Sequence, residues 1–169
     1  MADVAAALAA NRSAVESLVA TTERAPDRWT SPRAPGKWSP SQMVEHIARA
    51  LDESANMVAG RPSKFPTLPG FLRPVARALF FKRVLRNQAF PKARTNKAMD
   101  PKSGPATPAE GRKRLEQAVA RFDHACGASA ATGDGSVATS MFGRVALAEW
   151  VEFQAIHARH HEKQLTKSP

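Results

Sequence analysis

The chain has 169 residues and a formal net charge of +10 at neutral pH, with 25 Lys and Arg residues against 15 Asp and Glu residues. This length fits one domain, and the single cysteine excludes an intramolecular disulfide and fits a reducing cytoplasm. No stretch approaches the roughly 20 consecutive apolar residues that a membrane-spanning helix needs. We therefore predict a single cytoplasmic domain over residues 1–169.

The excess positive charge lies in one segment of the chain. Residues 61–102 contain eleven basic residues and one acidic residue, Asp100, whereas the remainder has fourteen of each sign. The segment therefore carries the whole net charge. This pattern describes a neutral domain with a basic insert, and it argues against a uniformly basic nucleic-acid-binding protein.

Four helices are predicted from apolar residues that recur every three or four positions. The predicted ranges are 3–24, 40–59, 107–126 and 144–166. Ser39 and Thr107 are each followed by Pro and, three positions on, by Gln or Glu, which is the capping-box pattern that starts a helix. Residues 127–143 are predicted as a loop in which only 137–142 could be briefly extended.

The basic insert is predicted to contain a fifth helix over residues 71–88, with Leu72, Val75 and Leu79 on one face. The flanking residues 61–70 and 89–107 are rich in proline and lysine and are predicted to be irregular. With no convincing strand in the sequence, the predicted fold is all-α. It is a four-helix bundle with an extra basic helix and loop insert.

Three of the five histidines lie close together in the last predicted helix. His157 and His161 are four residues apart, so their rings lie one turn apart on the same face and can reach one metal ion. His46, on the second helix, is the natural candidate for a third ligand. Three imidazoles leave a fourth position open, as in catalytic zinc sites, but they also suit nickel, iron or copper. His160 is predicted to be exposed or to support a ligand, and His124 to be a surface residue.

Two segments of the sequence match recognisable motifs: residues 38–47 fit W-[ST]-x-x-[EQ]-x-x-x-H-[LI], and residues 157–165 fit H-x-x-x-H-x-x-Q-[LI]. In this order, the two motifs resemble the signatures of the DinB-like superfamily. The resemblance implies an up-down-down-up four-helix bundle that is often a homodimer. It also implies a divalent metal, such as Zn, Ni or Fe, on His46, His157 and His161. Some members are thiol S-transferases that use bacillithiol, mycothiol or glutathione, and others are hydrolases or isomerases.

Other polar side chains are candidates for supporting roles at such a site. Three glutamines lie close in sequence to the candidate ligands and could orient them, or could be ordinary exposed helix formers: Gln42, Gln154 and Gln164. Three glutamates are possible general bases, which their sequence neighbours do not decide: Glu45, Glu149 and Glu152. Cys126 is interpreted as a small core residue rather than a nucleophile.

The insert at 61–102 leaves four interpretations open. It could be a peripheral membrane-surface helix, a nucleic-acid-binding segment, a lid that attracts an anionic substrate, or a solvated basic face whose Phe residues complete the core or a dimer contact. Two functions are therefore predicted as alternatives. The first is a metal-dependent thiol S-transferase or hydrolase with an open metal position. The second is a non-catalytic bundle that binds an anionic surface or partner through its insert.

Overall fold

The structure is a computed structural model that describes residues 3–24, 26–32, 34–91, 95, 97–133 and 135–166. Four long helices dominate this part of the chain: α1 (Val4–Glu23), α2 (Pro40–Val58), α5 (Pro108–Thr132) and α6 (Leu147–Thr166). Between α2 and α5 the chain forms a shorter run, the insert helix, over residues 70–87. The insert helix consists of a 3₁₀ turn (Gly70–Leu72), α3 (Arg73–Ala76), a π-helical turn (Arg77–Phe81) and α4 (Lys82–Asn87). A further 3₁₀ turn spans Pro26–Arg28.

Both predicted capping boxes start helices. The Ser39 hydroxyl accepts a hydrogen bond from the Gln42 N–H, and the Gln42 side chain accepts one from the Ser39 N–H. Thr107 and Glu110 form the same reciprocal pair at the start of α5. These bonds satisfy N–H groups that have no partner within the helix, which fixes where each helix begins.

The segment after Cys126 differs from the prediction. Helix α5 does not end at Gly127 but continues to Thr132. The residues after Gly127 include three alanines, and alanine is the residue that a helix accommodates best. The predicted loop also contains an antiparallel hairpin of β1 (Ser136–Thr139) and β2 (Gly143–Ala146). Because these residues form β2, helix α6 begins at Leu147 rather than at residue 144.

The hairpin forms because its two valines are buried at the same register position. Val137 pairs with Val145, and both are buried in the core. Gly143, at the turn, has φ of +68°, a left-handed conformation that other residues rarely adopt. The expectation of no convincing strand was therefore wrong, although the described chain is mostly helical and consistent with the predicted all-α class. The turn chemistry and the burial of alternate residues outweighed the small, polar composition of the segment.

Ion pairs show the relative directions of α1 and α5. Arg12, in the first half of α1, lies 2.6 Å from Asp123 in the second half of α5. Arg112, early in α5, lies 2.8 Å from Glu23 at the end of α1. These two helices are therefore antiparallel.

Helices α2 and α5 run in the same direction. Arg114, early in α5, contacts Glu45 near the start of α2 at 3.2 Å. About two turns further along α5, Arg121 donates to the side-chain oxygen of Asn56, which lies about three turns further along α2. Two parallel helices cannot be joined by a tight turn, so the chain needs the long connection that contains the insert.

The insert helix packs one side on the core and exposes the other. Phe81 and Val84 are fully buried, and the Phe81 ring lies 5.1 Å from that of Phe153 on α6. The predicted shared face of Leu72, Val75 and Leu79 is on the outside. Within the described residues, no helix combines the length and the apolar character needed to cross a membrane.

Candidate metal centre

The structure brings His46, His157 and His161 together from two helices. His46 lies in the second turn of α2, and His157 and His161 lie one turn apart in the second half of α6. The Nε2 atom of His157 is 3.1 Å from the Nε2 atom of His46 and 3.1 Å from that of His161. One nitrogen from each ring lies within 4.8 Å of the other two, so the three residues are placed to hold one metal ion.

The second ring nitrogen of two of these histidines has a defined partner. His46 Nδ1 donates to the backbone oxygen of Met99 at 2.8 Å. His161 Nδ1 donates to the side-chain oxygen of Gln164 at 3.0 Å. A neutral imidazole that is protonated on Nδ1 has a lone pair on Nε2. Both rings therefore point an unprotonated nitrogen toward His157.

This arrangement of lone pairs fits a cation better than it fits hydrogen bonding alone. His157 Nε2 carries at most one proton, so it cannot satisfy two facing acceptors with two good hydrogen bonds. In a tetrahedral zinc site with bonds of about 2.0–2.1 Å, neighbouring nitrogens lie roughly 3.3 Å apart. The two observed separations of 3.1 Å are close to that value. The three residues therefore fit a metal with open coordination.

Burial keeps the three imidazoles neutral. Loss of solvent lowers the pKa of His46 and lowers the pKa of His157 well below the usual 6.5. Burial, together with the nearby His46, lowers the pKa of His161 to about 3. Metal ligands must be deprotonated to bind, so these shifts favour metal binding at neutral pH.

A relay of side chains orients His161. Gln164 accepts from His161 Nδ1 through its oxygen and donates through its nitrogen to His160 Nε2 at 2.9 Å. His160 therefore lies next to the site and holds Gln164 in place. This is the second of the two predictions for His160, that it is exposed or that it supports a ligand. His124 is exposed on α5, as predicted for a surface residue.

Gln42 does not bond to His46; it bonds to the segment before α5 that holds His46. Its side-chain nitrogen donates to the Pro101 oxygen at 3.2 Å, two residues from the Met99 carbonyl that holds His46. Gln154 is buried in a cavity wall near the three histidines. Of the three candidate glutamines, Gln164 is thus the one with a hydrogen bond to a candidate ligand among the described contacts.

The candidate general bases pair with other side chains. Glu45 bonds to Arg49 and Arg114, Glu149 to Lys82, and Glu152 to Gln88. Cys126 is fully buried in α5, as predicted for a core residue.

Two aromatic rings and one carbonyl complete the surroundings of the histidines. The ring centre of Trp38 lies 4.7 Å from that of His46, and the Phe90 ring lies 5.1 Å from that of His157. Trp38 is the first residue of the motif over 38–47, so the sequence already indicated that it belongs with His46. Met99 and Phe90 carry no such signal, because they reach the site only when the insert folds back onto α2 and α6.

A cavity of about 1540 Å³ opens onto the three histidines. Its walls are largely apolar and aromatic, and they include Trp38, Phe80, Phe90 and Phe153. Among the described residues that line it there is no Asp or Glu, whereas three exposed cations do line it: Arg28, Lys37 and Lys163. The cavity can therefore accept a ligand with an apolar part and an anionic part.

Comparison with known families assigns the chain. The profile of a family described as protein of unknown function, DUF1569, matches residues 7–168. The chain belongs to the DUF1569 family. No curated protein and no solved structure matches it. Within this DUF1569 protein, the cluster of three histidines, two of them buried and His157 half-buried, is the feature that points to chemistry.

Proposed function

We propose that this DUF1569 protein is a DinB-like metalloprotein in which His46, His157 and His161 hold a divalent ion. Zn, Ni and Fe are the metals that this ligand set suits, and the reaction is transfer to or from a low-molecular-weight thiol. The observation that carries the proposal is the convergence of the three Nε2 atoms, with His46 and His161 fixed through their Nδ1 atoms.

The helix directions support the DinB-like part of the proposal. Helix α5 is antiparallel to α1 and parallel to α2. The late parts of α1 and α6 meet where Ser17 donates to Glu162. The early part of α2 meets the late part of α6 at the histidines. These contacts support an up-down-down-up bundle, in which the insert would occupy the long connection between the second and third long helices.

The cavity lining favours a thiol over water as the activated group. A bound divalent ion would lower the pKa of a coordinated thiol or water and supply a nucleophile near neutral pH. A hydrolase also benefits from a positioned proton acceptor, commonly a carboxylate. No described residue that lines this cavity has a carboxylate. A thiolate needs no such base once its proton has left.

The residues around the cavity would then select and shield the substrate. Lys37 and Lys163, both exposed, would attract the carboxylate or phosphate of an anionic thiol. Trp38 and Phe90, whose rings contact those of His46 and His157, would shield the histidine side of the cavity from water. The aromatic wall formed by Phe80 and Phe153 would hold the apolar part of the second substrate.

Metal analysis of protein purified without a His tag tests the first half of the proposal. We expect about one Zn²⁺ or Ni²⁺ per chain after loading, and His157→Ala should abolish tight binding because it removes the central ligand. His124→Ala, at an exposed position on α5, is the matched control and should bind as the wild type does. If the protein holds much less than one metal ion per chain, and adding Zn²⁺ or Ni²⁺ does not increase this amount, the proposal is wrong.

Cobalt substitution tests the second half. Adding glutathione or another anionic thiol to the Co²⁺ protein should produce a thiolate-to-cobalt charge-transfer band, because the open position would take the thiolate. The Lys37→Gln, Lys163→Gln double variant should need a higher thiol concentration for the same band. If the cobalt spectrum does not change when thiols are added, the metal site stands but the thiol-transferase interpretation is wrong.

A further inference from the structure

The insert helix presents an apolar face that nothing in the described structure covers. Phe71, Leu72, Val75 and Leu79 are 79%, 41%, 52% and 69% exposed. Over the described part of the chain, these four are the large hydrophobic residues that stand exposed. They lie within about two helical turns, so they form one continuous patch rather than scattered single residues.

Positive charge surrounds this apolar face. The insert helix carries five basic residues, which are Arg73, Arg77, Lys82, Arg83 and Arg86. Residues 61–91 contain no Asp or Glu. Glu149 and Glu152 of α6 contact the helix, and they bond to Lys82 and Gln88. Over the described residues, the exposed Arg83 and Arg86 have no ion-pair or hydrogen-bond partner. The face therefore combines apolar side chains with uncompensated cations.

The core holds this face outward. On the opposite side of the helix, Phe81 and Val84 are fully buried, and the Phe81 ring packs against those of Phe142, Trp150 and Phe153. Arg77 donates to the backbone oxygen of Arg144 in β2. The insert helix is thus held to the rest of the protein by aromatic packing at Phe81 and by the hydrogen bond from Arg77. Its exposed side chains do not need to rearrange to meet a partner.

We propose that residues 70–87 dock the protein on an anionic bilayer surface. An amphipathic helix of this kind lies in the plane of the interface, with its apolar side chains at the boundary between headgroups and acyl chains. Its Arg and Lys side chains meet the lipid phosphates, and each basic residue adds to the attraction. This inference is independent of the metal site, since none of the four apolar residues lines the cavity at the histidines.

The chemistry of the face favours a bilayer over other partners. A second copy of the chain would bring two sets of arginines against each other, and like charges in contact are unfavourable. Nucleic acid would use the cations but would leave Leu72, Val75 and Leu79 without a role, because bases stack on aromatic rings. A bilayer uses both the apolar residues and the cations.

Vesicle flotation with the full-length protein tests the proposal. Vesicles of phosphatidylcholine alone are compared with vesicles in which about one third of the lipid is phosphatidylglycerol. We expect binding to the anionic vesicles that is at least about 30-fold tighter than to the neutral ones, and that falls as salt is raised. Equal binding to both vesicles, or none to either, would overturn the proposal.

Paired variants separate the apolar and the electrostatic contributions. Phe71→Ser with Leu79→Ser should weaken binding by at least about tenfold, because two embedded side chains are lost. Arg83→Gln with Arg86→Gln should weaken it by about 30-fold, and Arg24→Gln with Lys113→Gln, at exposed positions outside the insert, by less than about twofold. Because all these side chains are exposed, an unchanged circular dichroism spectrum is expected.

Two further outcomes would assign the face to another partner. If the wild type is a dimer in sedimentation equilibrium and Phe71→Ser with Leu79→Ser makes it a monomer, the face is a self-association surface and the proposal is wrong. If duplex DNA competes the protein off anionic vesicles while the apolar variant binds DNA as the wild type does, the cations serve nucleic acid instead. The proposal is retained when DNA does not compete and the oligomeric state is unchanged by the apolar variant.

Discussion

Gly104, in the chain before α5, lies against the backbone of α2 at Ser41, and its replacement by Ala is expected to destabilise the protein. A Cβ atom at Gly104 would lie 2.5 Å from the backbone carbon and from the Oγ atom of Ser41, and nearer still to the Ser41 carbonyl oxygen. Ser41 is in the first turn of α2, so its backbone cannot rotate away. The segment that contains Gly104 must therefore move outward by about 1 Å to reach an ordinary contact distance.

The magnitude follows from the hydrogen bonds that such a shift would break. The Pro105 oxygen accepts from Ser41 Oγ at 2.6 Å and from Trp29 Nε1 at 2.8 Å. A shift of about 1 Å takes both beyond the usual hydrogen-bond range, at about 1 kcal/mol each, with a similar loss at the bond from Gln42 to Pro101. Ala also restricts the unfolded chain, which offsets about 0.4–1 kcal/mol. The free energy of unfolding should fall by about 2 kcal/mol.

Urea unfolding followed by circular dichroism measures this loss, and Gly127→Ala is the matched control. Gly127 lies inside α5, and a Cβ atom added there would have nothing within 4 Å, so Ala should stabilise the helix by about 0.5–1 kcal/mol.

The Gly104→Ala and Gly127→Ala variants should also differ in metal affinity. The shift at Gly104 also displaces the Met99 carbonyl from His46 Nδ1, and loss of such a partner typically lowers affinity about 10–100-fold. A Gly104→Ala protein as stable as the wild type would refute this reasoning.

Two further predictions test the core that supports the site. Burial raises the pKa of the Cys126 thiol to about 12, so the thiol should resist a disulfide reagent at pH 8 in the folded protein and react fully in denaturant. Folding favours the protonated thiol, so its contribution to stability is present below the unfolded pKa of about 8.5 and is lost as the pH rises toward 12. Rapid labelling of the native protein would contradict the buried position. Phe81→Ala should lower the free energy of unfolding by about 3–5 kcal/mol, whereas Leu79→Ala, two residues earlier on the exposed face, should change it by less than about 0.5 kcal/mol. Similar losses for the two variants, measured by urea unfolding, would mean that the insert helix is not oriented as described.

The insert helix explains why the charge of the chain says little about the histidines. Its Phe81 side completes the aromatic core beside α6, and its Leu79 side faces outward among the cations. Sequence analysis left four interpretations of this segment open. Burial of Phe81 supports the one in which its Phe residues complete the core. Exposure of Leu79 leaves a second surface for a partner.

Interactions between near neighbours in the chain determined what the sequence could predict. The capping boxes at Ser39 and Thr107 involve residues three positions apart, so they fix two helix starts without help from the rest of the protein. The spacing of His157 and His161 places them on one helix face for the same reason. Where the local signal was weak, as after Gly127, the predicted helix end was wrong by six residues, since α5 ends at Thr132.

Only the tertiary structure decided what surrounds the histidines. His46 and His157 are 111 positions apart, and the Met99 carbonyl meets His46 across 53 positions. Such contacts form only when burial of the whole core compensates the entropy lost in closing long loops, and that balance leaves no periodic trace in the sequence. The sequence alone therefore determined which residue types were available for a metal. The packing of α2, α6 and the insert decided that their nitrogens converge on one point, beside a cavity whose described lining has no carboxylate.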